Sequence, residues 1–135
     1  IDKGLPEKWV SRVRASQHNL QTVYVTLTGY REDDFEKYIY KSTDYGKTWH
    51  SIAGNLPSES INVITEDPRN SDILYVGTDL GVYATTDGGL NWNILSNGLP
   101  TVAVYDLVIQ PRELDLVAGT HGRSIFVLDI EKIGN

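Results

Sequence analysis

The chain has 135 residues, 40% of them apolar and 22% charged, with a net charge of −6. That length fits one compact domain, and the balance fits a globular class rather than disorder. The acidic charge excludes a nucleic-acid partner, no apolar run approaches the ~18 residues of a membrane span, and the lack of cysteine excludes disulfide and zinc–thiolate frameworks.

The opening stretch, IDKGLPEKW, lacks the basic start and apolar core of a signal peptide. It also lacks an initiator Met and reads as a processed chain or a piece of a longer one. In chain order, short runs rich in Val, Ile, Tyr and Leu predict strands over 10–15, 22–27, 38–43 and 49–52, then 61–66, 73–78, 82–86 and 92–95, then 102–109, 116–119 and 124–129. Pro, Gly, Asn and Asp punctuate between them. No helical period competes. Residues 28–37, TGYREDDFEK, show no alternating apolar pattern and read as a mobile acidic loop, dispensable to the fold.

These strands repeat. Asp44 and Asp87, Trp49 and Trp92, and Leu56 and Leu99 are each 43 residues apart, and DPRNSDILYVGT from Asp67 recurs as QPRELDLVAGT from Gln110. Tyr24 and Tyr75 are 51 apart, as are Leu5 and Leu56, so the first unit is eight residues longer, and the surplus falls at 28–37. Four strands per ~40–45 residues is the signature of a β-propeller blade. The expected fold is therefore all-β: a β-propeller fragment of four-stranded antiparallel blades. A first blade covers 7–54, a second 57–97 and an incomplete third 100–130, about two and three-quarter blades in all. A closed propeller needs ~4–8 blades, so the chain reads as part of a larger one.

The third-to-fourth strand turn carries STDYGKTW at 42–49 and TTDGGLNW at 85–92. Asp44 and Asp87 suit acceptance of turn N–H groups. Gly46 and Gly89 suit positive φ. Ser42, Thr48 and Thr85 supply hydroxyls, and Trp49 and Trp92 are expected to bury their rings between blades. A catalytic site is rarely duplicated at a fixed period, so both turns are expected to be structural. They resemble the Asp-box, or BNR repeat, Ser/Thr-x-Asp-x-Gly-x-Thr-Trp. Asn91 stands where Thr is usual and is expected to weaken one contact. The third unit keeps Asp129 but loses the rest. That family includes sialidases, xyloglucan-degrading hydrolases, sortilin-type receptor propellers and photosystem II assembly propellers. The ending AGTHGRSIFVLD resembles the closing blade of large secreted bacterial proteins with sortilin-like BNR propellers. The resemblance implies a propeller and an extracellular or periplasmic setting; it does not imply one activity.

In a propeller the second-to-third strand loops share a face with the links between blades, opposite the octapeptide turns. Candidate ligand residues on that face are Tyr30, Arg31, Asp33, Asp34, Asp79, His121 and Arg123. Their plainer roles are a solvated acidic loop for 31–36 and loop-to-loop hydrogen bonds for His121 and Arg123. His18, His50 and His121 show no metal-ligand spacing, and no metal, cofactor or catalytic residue is expected. One reading is a non-catalytic propeller segment of a secreted or cell-surface protein that binds protein or glycan. The alternative is a fragment of a glycoside hydrolase, sialidase-like or xyloglucanase-like, which needs two carboxylates ~5–9.5 Å apart; Asp33, Asp34 and Asp79 are the candidates. The expected partners are the remaining blades of a parent chain or a second copy, met through apolar end faces carrying Val13, Val25, Leu107 and Val117.

Overall fold

A computed structural model of the chain describes residues 9–29, 34–56, 61–95, 103–110, 112–120 and 125–133. These residues hold eleven strands: β1 Trp9–Ala15, β2 Val23–Gly29, β3 Asp34–Ser42, β4 His50–Ser51, β5 Ile61–Glu66, β6 Leu74–Thr78, β7 Gly81–Thr85, β8 Asn93–Ile94, β9 Val104–Gln110, β10 Asp115–Thr120 and β11 Ile125–Asp129. They form three antiparallel sheets, ordered β1-β2-β3-β4, β5-β6-β7-β8 and β9-β10-β11. No described helix is long and apolar enough to cross a membrane.

The sequence repeat is repeated in the backbone. The first strand of each sheet carries an irregularity at the same step: Val10/Arg12 in β1, Ile61/Val63 in β5 and Val104/Asp106 in β9. Each sheet also ties its two same-end connections with one amide, Tyr45 N–H to Gln21 O, Gly88 N–H to Asp72 O, and Ile130 N–H to Leu114 O, all at 3.0 Å. A run that pairs as a meander puts alternate connections at opposite ends, so these bonds lie at the end away from the β6–β7 turn.

The sheets stack face to face. Tyr24, Ile39, Ile52 and Leu56 of the first sheet pack on Ile61, Ile64, Leu74, Val76 and Trp92 of the second. The second sheet's other face, with Val63, Tyr75, Val82 and Ala84, packs on Val104, Leu107, Leu116, Ala118 and Ile130. Val, Ile and Leu suit these positions because a β-branched or aliphatic side chain fits a pleated, half-buried surface. Each one fully buried contributes ~1.5–3 kcal/mol.

Several expectations need correction. The acidic segment is largely strand: β2 runs on to Gly29, β3 starts at Asp34, and Gly29 pairs with Asp34. Backbone pairing has overridden the weak side-chain pattern there. The fourth strands are only two residues long in each complete sheet. Of the four residues assigned to open end faces, Val13 is exposed, but Leu107 and Val25 are buried and Val117 is half-buried. Leu107 points back at the second sheet rather than outward, because the irregularity at Val104/Asp106 sets which way β9 alternates.

Candidate functional site

The octapeptide turns are closed hydrogen-bond systems. Ser42 Oγ donates to Asp44 Oδ1 (2.8 Å) and accepts from the Gly46 amide (2.8 Å), while Asp44 accepts the Thr48 amide (2.9 Å) and the Thr48 hydroxyl. In the second turn Thr85 donates to Asp87 (2.7 Å) and accepts the Gly89 amide (3.1 Å). Asn91 does not weaken the set: its amide N–H and its Nδ2 each reach Asp87 at 2.9 Å, the side-chain amide taking over the Thr hydroxyl's bond. Gly46 (φ +88°) and Gly89 (φ +104°) occupy the left-handed region, and a Cβ at Gly89 would meet Ile52 O at 2.6 Å. The bonds from Thr48 and Ser42 hold the Asp44 carboxyl well below the usual range. Those from Asn91 and Thr85 hold Asp87 at about 2. All these acceptors are engaged within the turn, so neither carboxylate stands ready to take a proton from a ligand.

Trp92 is buried, its indole donating to Ile52 O of the first sheet (2.9 Å) and its backbone bonded to the Asn55 side chain. Trp49, expected to match it, is only half-buried. Trp92 has the first sheet to lie against, and the described residues place no sheet on the corresponding side of Trp49. Asp129 of the third unit accepts the Glu131 amide at 2.9 Å.

Beside these turns lies a polar seam that the sequence did not flag. Glu66, buried at the end of β5, accepts the Ser16 hydroxyl (2.7 Å), the Gln17 amide (2.6 Å) and the Tyr24 hydroxyl (3.2 Å) from the first sheet. Asp67, fully buried, accepts Tyr75 O–H (2.6 Å), the Arg69 amide (2.8 Å) and two Arg69 guanidinium nitrogens (3.0 and 2.9 Å). Arg69 in turn donates to Glu131 O and Ile130 O of the third sheet, both at 2.7 Å. His18 bonds Asp67 O at 2.8 Å. Burial pushes up the Tyr24 and Tyr75 hydroxyls, and the adjacent carboxylates push further the same way. Burial pulls Asp67 upward, but the Arg69 and Tyr75 bonds outweigh it and leave its carboxyl below the usual range. The only sequence signal was the recurrence of DPR as QPR, with nothing to say that the partners sit 42 to 62 residues away.

Between the first strands of the sheets, Arg12 donates to Asp106 (3.3 Å) and to Tyr105 O (3.0 Å), and Arg14 lies 3.7 Å from the same carboxylate. An open cleft of about 200 Å³ beside them is lined by Arg14, Gln17, Thr65 and Leu107 among others. At the opposite end, Asp79 follows β6 and accepts from Asn62 (3.0 Å), whose side chain also reaches Val104 O (3.1 Å). Asp79 thus helps fix the second sheet to the third. Of the other candidate ligand residues, Tyr30, Arg31, Asp33, His121 and Arg123 lie outside the described residues, and only the backbone of Asp34 is described. No group of three potential metal ligands occurs among the described residues.

No protein-family model and no curated protein matches the chain. Solved structures do. An ancestral GH74 enzyme aligns with 95% of this chain and 17% of its own length, at 22% identity and a TM-score of 0.72. The GH74 xyloglucanase from Xanthomonas campestris aligns with 87% of this chain and 20% of its own, at 14% identity and a TM-score of 0.66. The chain is a segment of a β-propeller. Its three sheets are blades, and it spans about a fifth or less of the length of these structural neighbours.

Proposed function

We propose that these blades, 7–54, 57–97 and 100–130, belong to a larger polysaccharide-acting propeller protein of the extracellular space or periplasm, and serve there as a glycan-binding scaffold without catalytic groups of their own. The single observation behind this reading is the fold match to two GH74 enzymes, combined with carboxylates that already hold protein donors. Asp44, Asp87, Glu66, Asp67, Asp79 and Asp106 each already hold protein donors. Hydrolysis needs a pair of carboxyl groups facing a sugar ring, ~5–9.5 Å apart, and Asp44 and Asp87, with both oxygens bonded within their own turns, do not offer it. On this reading the two octapeptides are Asp-boxes that hold each blade's outer corner. The glycan-facing residues are those of the other end: Tyr30, Arg31, Asp33, Asp34, Asp79, His121 and Arg123.

Electrophoresis through gels containing xyloglucan or other β-glucans tests this. The expected result is retarded migration with no reducing ends released. A second reading, a catalytic fragment, rests on Asp79 being half-buried at the β6–β7 turn. It requires reducing-end release that Asp79→Asn abolishes. Migration unchanged by every polysaccharide would sink both.

A further inference from the structure

The first strands of the three blades lie side by side, β1 against β5 and β5 against β9, and the open cleft of about 200 Å³ is lined by all three. The 51- and 43-residue spacings put Arg14, Thr65 and Val108 at one repeat position, and all three line the cleft, with Gln17 and Leu107 beside them. Two polar groups of this lining lack a protein partner. Thr65 is only 7% exposed, and its hydroxyl meets no donor or acceptor among the described residues. The Nε of Arg14 is buried and likewise unpartnered. Such groups are rare in a folded chain, because they have given up water without gaining a hydrogen bond. Arg14 approaches Asp106 Oδ1 at 3.7 Å, too long for a hydrogen bond, and Arg12 already donates to that oxygen at 3.3 Å. Two guanidinium groups thus share one carboxylate, which leaves one cation in excess. The nearby acids do not cancel it. Glu66 follows Thr65 and so points to the opposite face of β5, where Ser16, Gln17 and Tyr24 hold it, and Asp67 is paired with Arg69.

We propose that this cleft binds the carboxylate group of a ligand, with Arg14 supplying the charge and Thr65 a hydroxyl donor. A planar guanidinium fork matches the two oxygens of a carboxylate. One surplus cation suits a monoanion, whereas a phosphate group carries ~1.5–2 negative charges at neutral pH. The cleft is smaller than the ~300–1,000 Å³ of pockets that enclose a whole drug-sized ligand, so it takes the charged group rather than the whole molecule. Every residue that lines it belongs to the described part of the three blades. The inference does not depend on the glycan reading, which concerns the Asp79 end of the blades.

Glucuronate titrated into the labelled chain at low ionic strength, followed through backbone amide and arginine Nε–H shifts, tests it. Saturable shifts are expected at Arg14, Gln17 and Thr65, with none from glucose, the neutral counterpart. Arg14→Gln should weaken binding at least ~10-fold. Asp106→Asn keeps the shape of an exposed side chain and removes the competing charge, so it should tighten binding roughly two- to fivefold. Acetate that binds as well as glucuronate also supports the proposal and assigns recognition to the carboxylate alone, whereas tighter binding of glucuronate assigns part of it to the sugar. The absence of shifts with both acids, equal shifts with glucose, or shifts confined to Asn62 and Thr78–Gly81 would overturn the proposal. So would undiminished binding by Arg14→Gln. Should that variant fail to fold, Asp106→Asn decides alone, and unchanged or weaker binding by it overturns the assignment.

Discussion

Replacing Trp92 with alanine should cost far more than the same change at Trp49, although the two residues close near-identical octapeptides. Trp92 is 3% exposed and packs among Ile52, Leu56, Ile64 and Leu74 of two blades. Removing such a ring costs ~3–5 kcal/mol through lost burial and the cavity left behind. Its indole also satisfies Ile52 O at 2.9 Å, and orphaning that carbonyl adds ~1 kcal/mol. At about 4 °C per kcal/mol for a chain of this length, Trp92→Ala should melt roughly 16–24 °C lower. Trp49 is half-buried, so Trp49→Ala should lose about half the burial, roughly 8 °C. Trp92→Phe, which keeps most of the ring but not the donor, should fall between wild type and Trp92→Ala. Thermal melts followed by far-UV circular dichroism on dilute protein decide the matter. Equal losses for the two alanine variants, or a drop of under ~2 °C for Trp92→Ala, would refute the claim that the second Trp staples blade to blade while the first does not.

Gly89→Ala should unfold the chain at room temperature or nearly so, since its Cβ would sit 2.6 Å from Ile52 O, whereas Gly88→Ala, with its nearest atom 3.7 Å away, should cost only the ~1–2 kcal/mol of a left-handed backbone; denaturant titration separates them. Arg69→Ala should destabilise by ~3–5 kcal/mol, because it leaves the fully buried Asp67 carboxylate short of a counter-charge and frees two carbonyls of the third blade; the same titration reads it. Acid should unfold the protein in a defined window. The carboxyl of Asp87 is held at about 2, below its ordinary 3.8, so its contribution is fully present above pH 3.8 and is lost as the pH falls toward 2; Asp44 and Asp67 shift in the same direction. Melting temperature plotted against pH should fall over that range, and Asp87→Asn should flatten the slope. Asn91→Thr should leave stability unchanged within ~0.5 kcal/mol, as a hydroxyl can make the bond that Nδ2 now makes to Asp87.

The blades were legible because their cause is local. Short runs rich in Val, Ile, Leu and Tyr at Ile61–Glu66 and Leu74–Thr78, a 43-residue echo of Asp44-x-Gly46 at Asp87-x-Gly89, and turn residues between them need no distant partner to be read. The extended β2–β3 ladder was not legible, since Asp34 belongs to a strand by pairing with Gly29 and not by any apolar pattern of its own. The seam of Glu66, Asp67, Arg69 and Tyr75 was hidden for a related reason. Its carboxylates look like ordinary surface acids until the fold brings Ser16, Tyr24 and Ile130 to them from other blades. On the candidate ligand face, sequence pointed to Asp79, and the structure gives it a job the sequence could not show, holding Asn62 between the second and third blades.

The division of labour between the two ends of the blades is open to one direct test. Backbone amide shifts of the labelled chain, followed by NMR during titration with β-glucan oligosaccharides, report which end meets the sugar. The expected perturbations cluster at Asn62 and Thr78–Gly81 and at Tyr30, Arg31, His121 and Arg123, with Asp44–Trp49 and Asp87–Trp92 unmoved. Perturbations concentrated in the two octapeptide turns would contradict the account, because they would place the ligand on the groups assigned to holding the blades together.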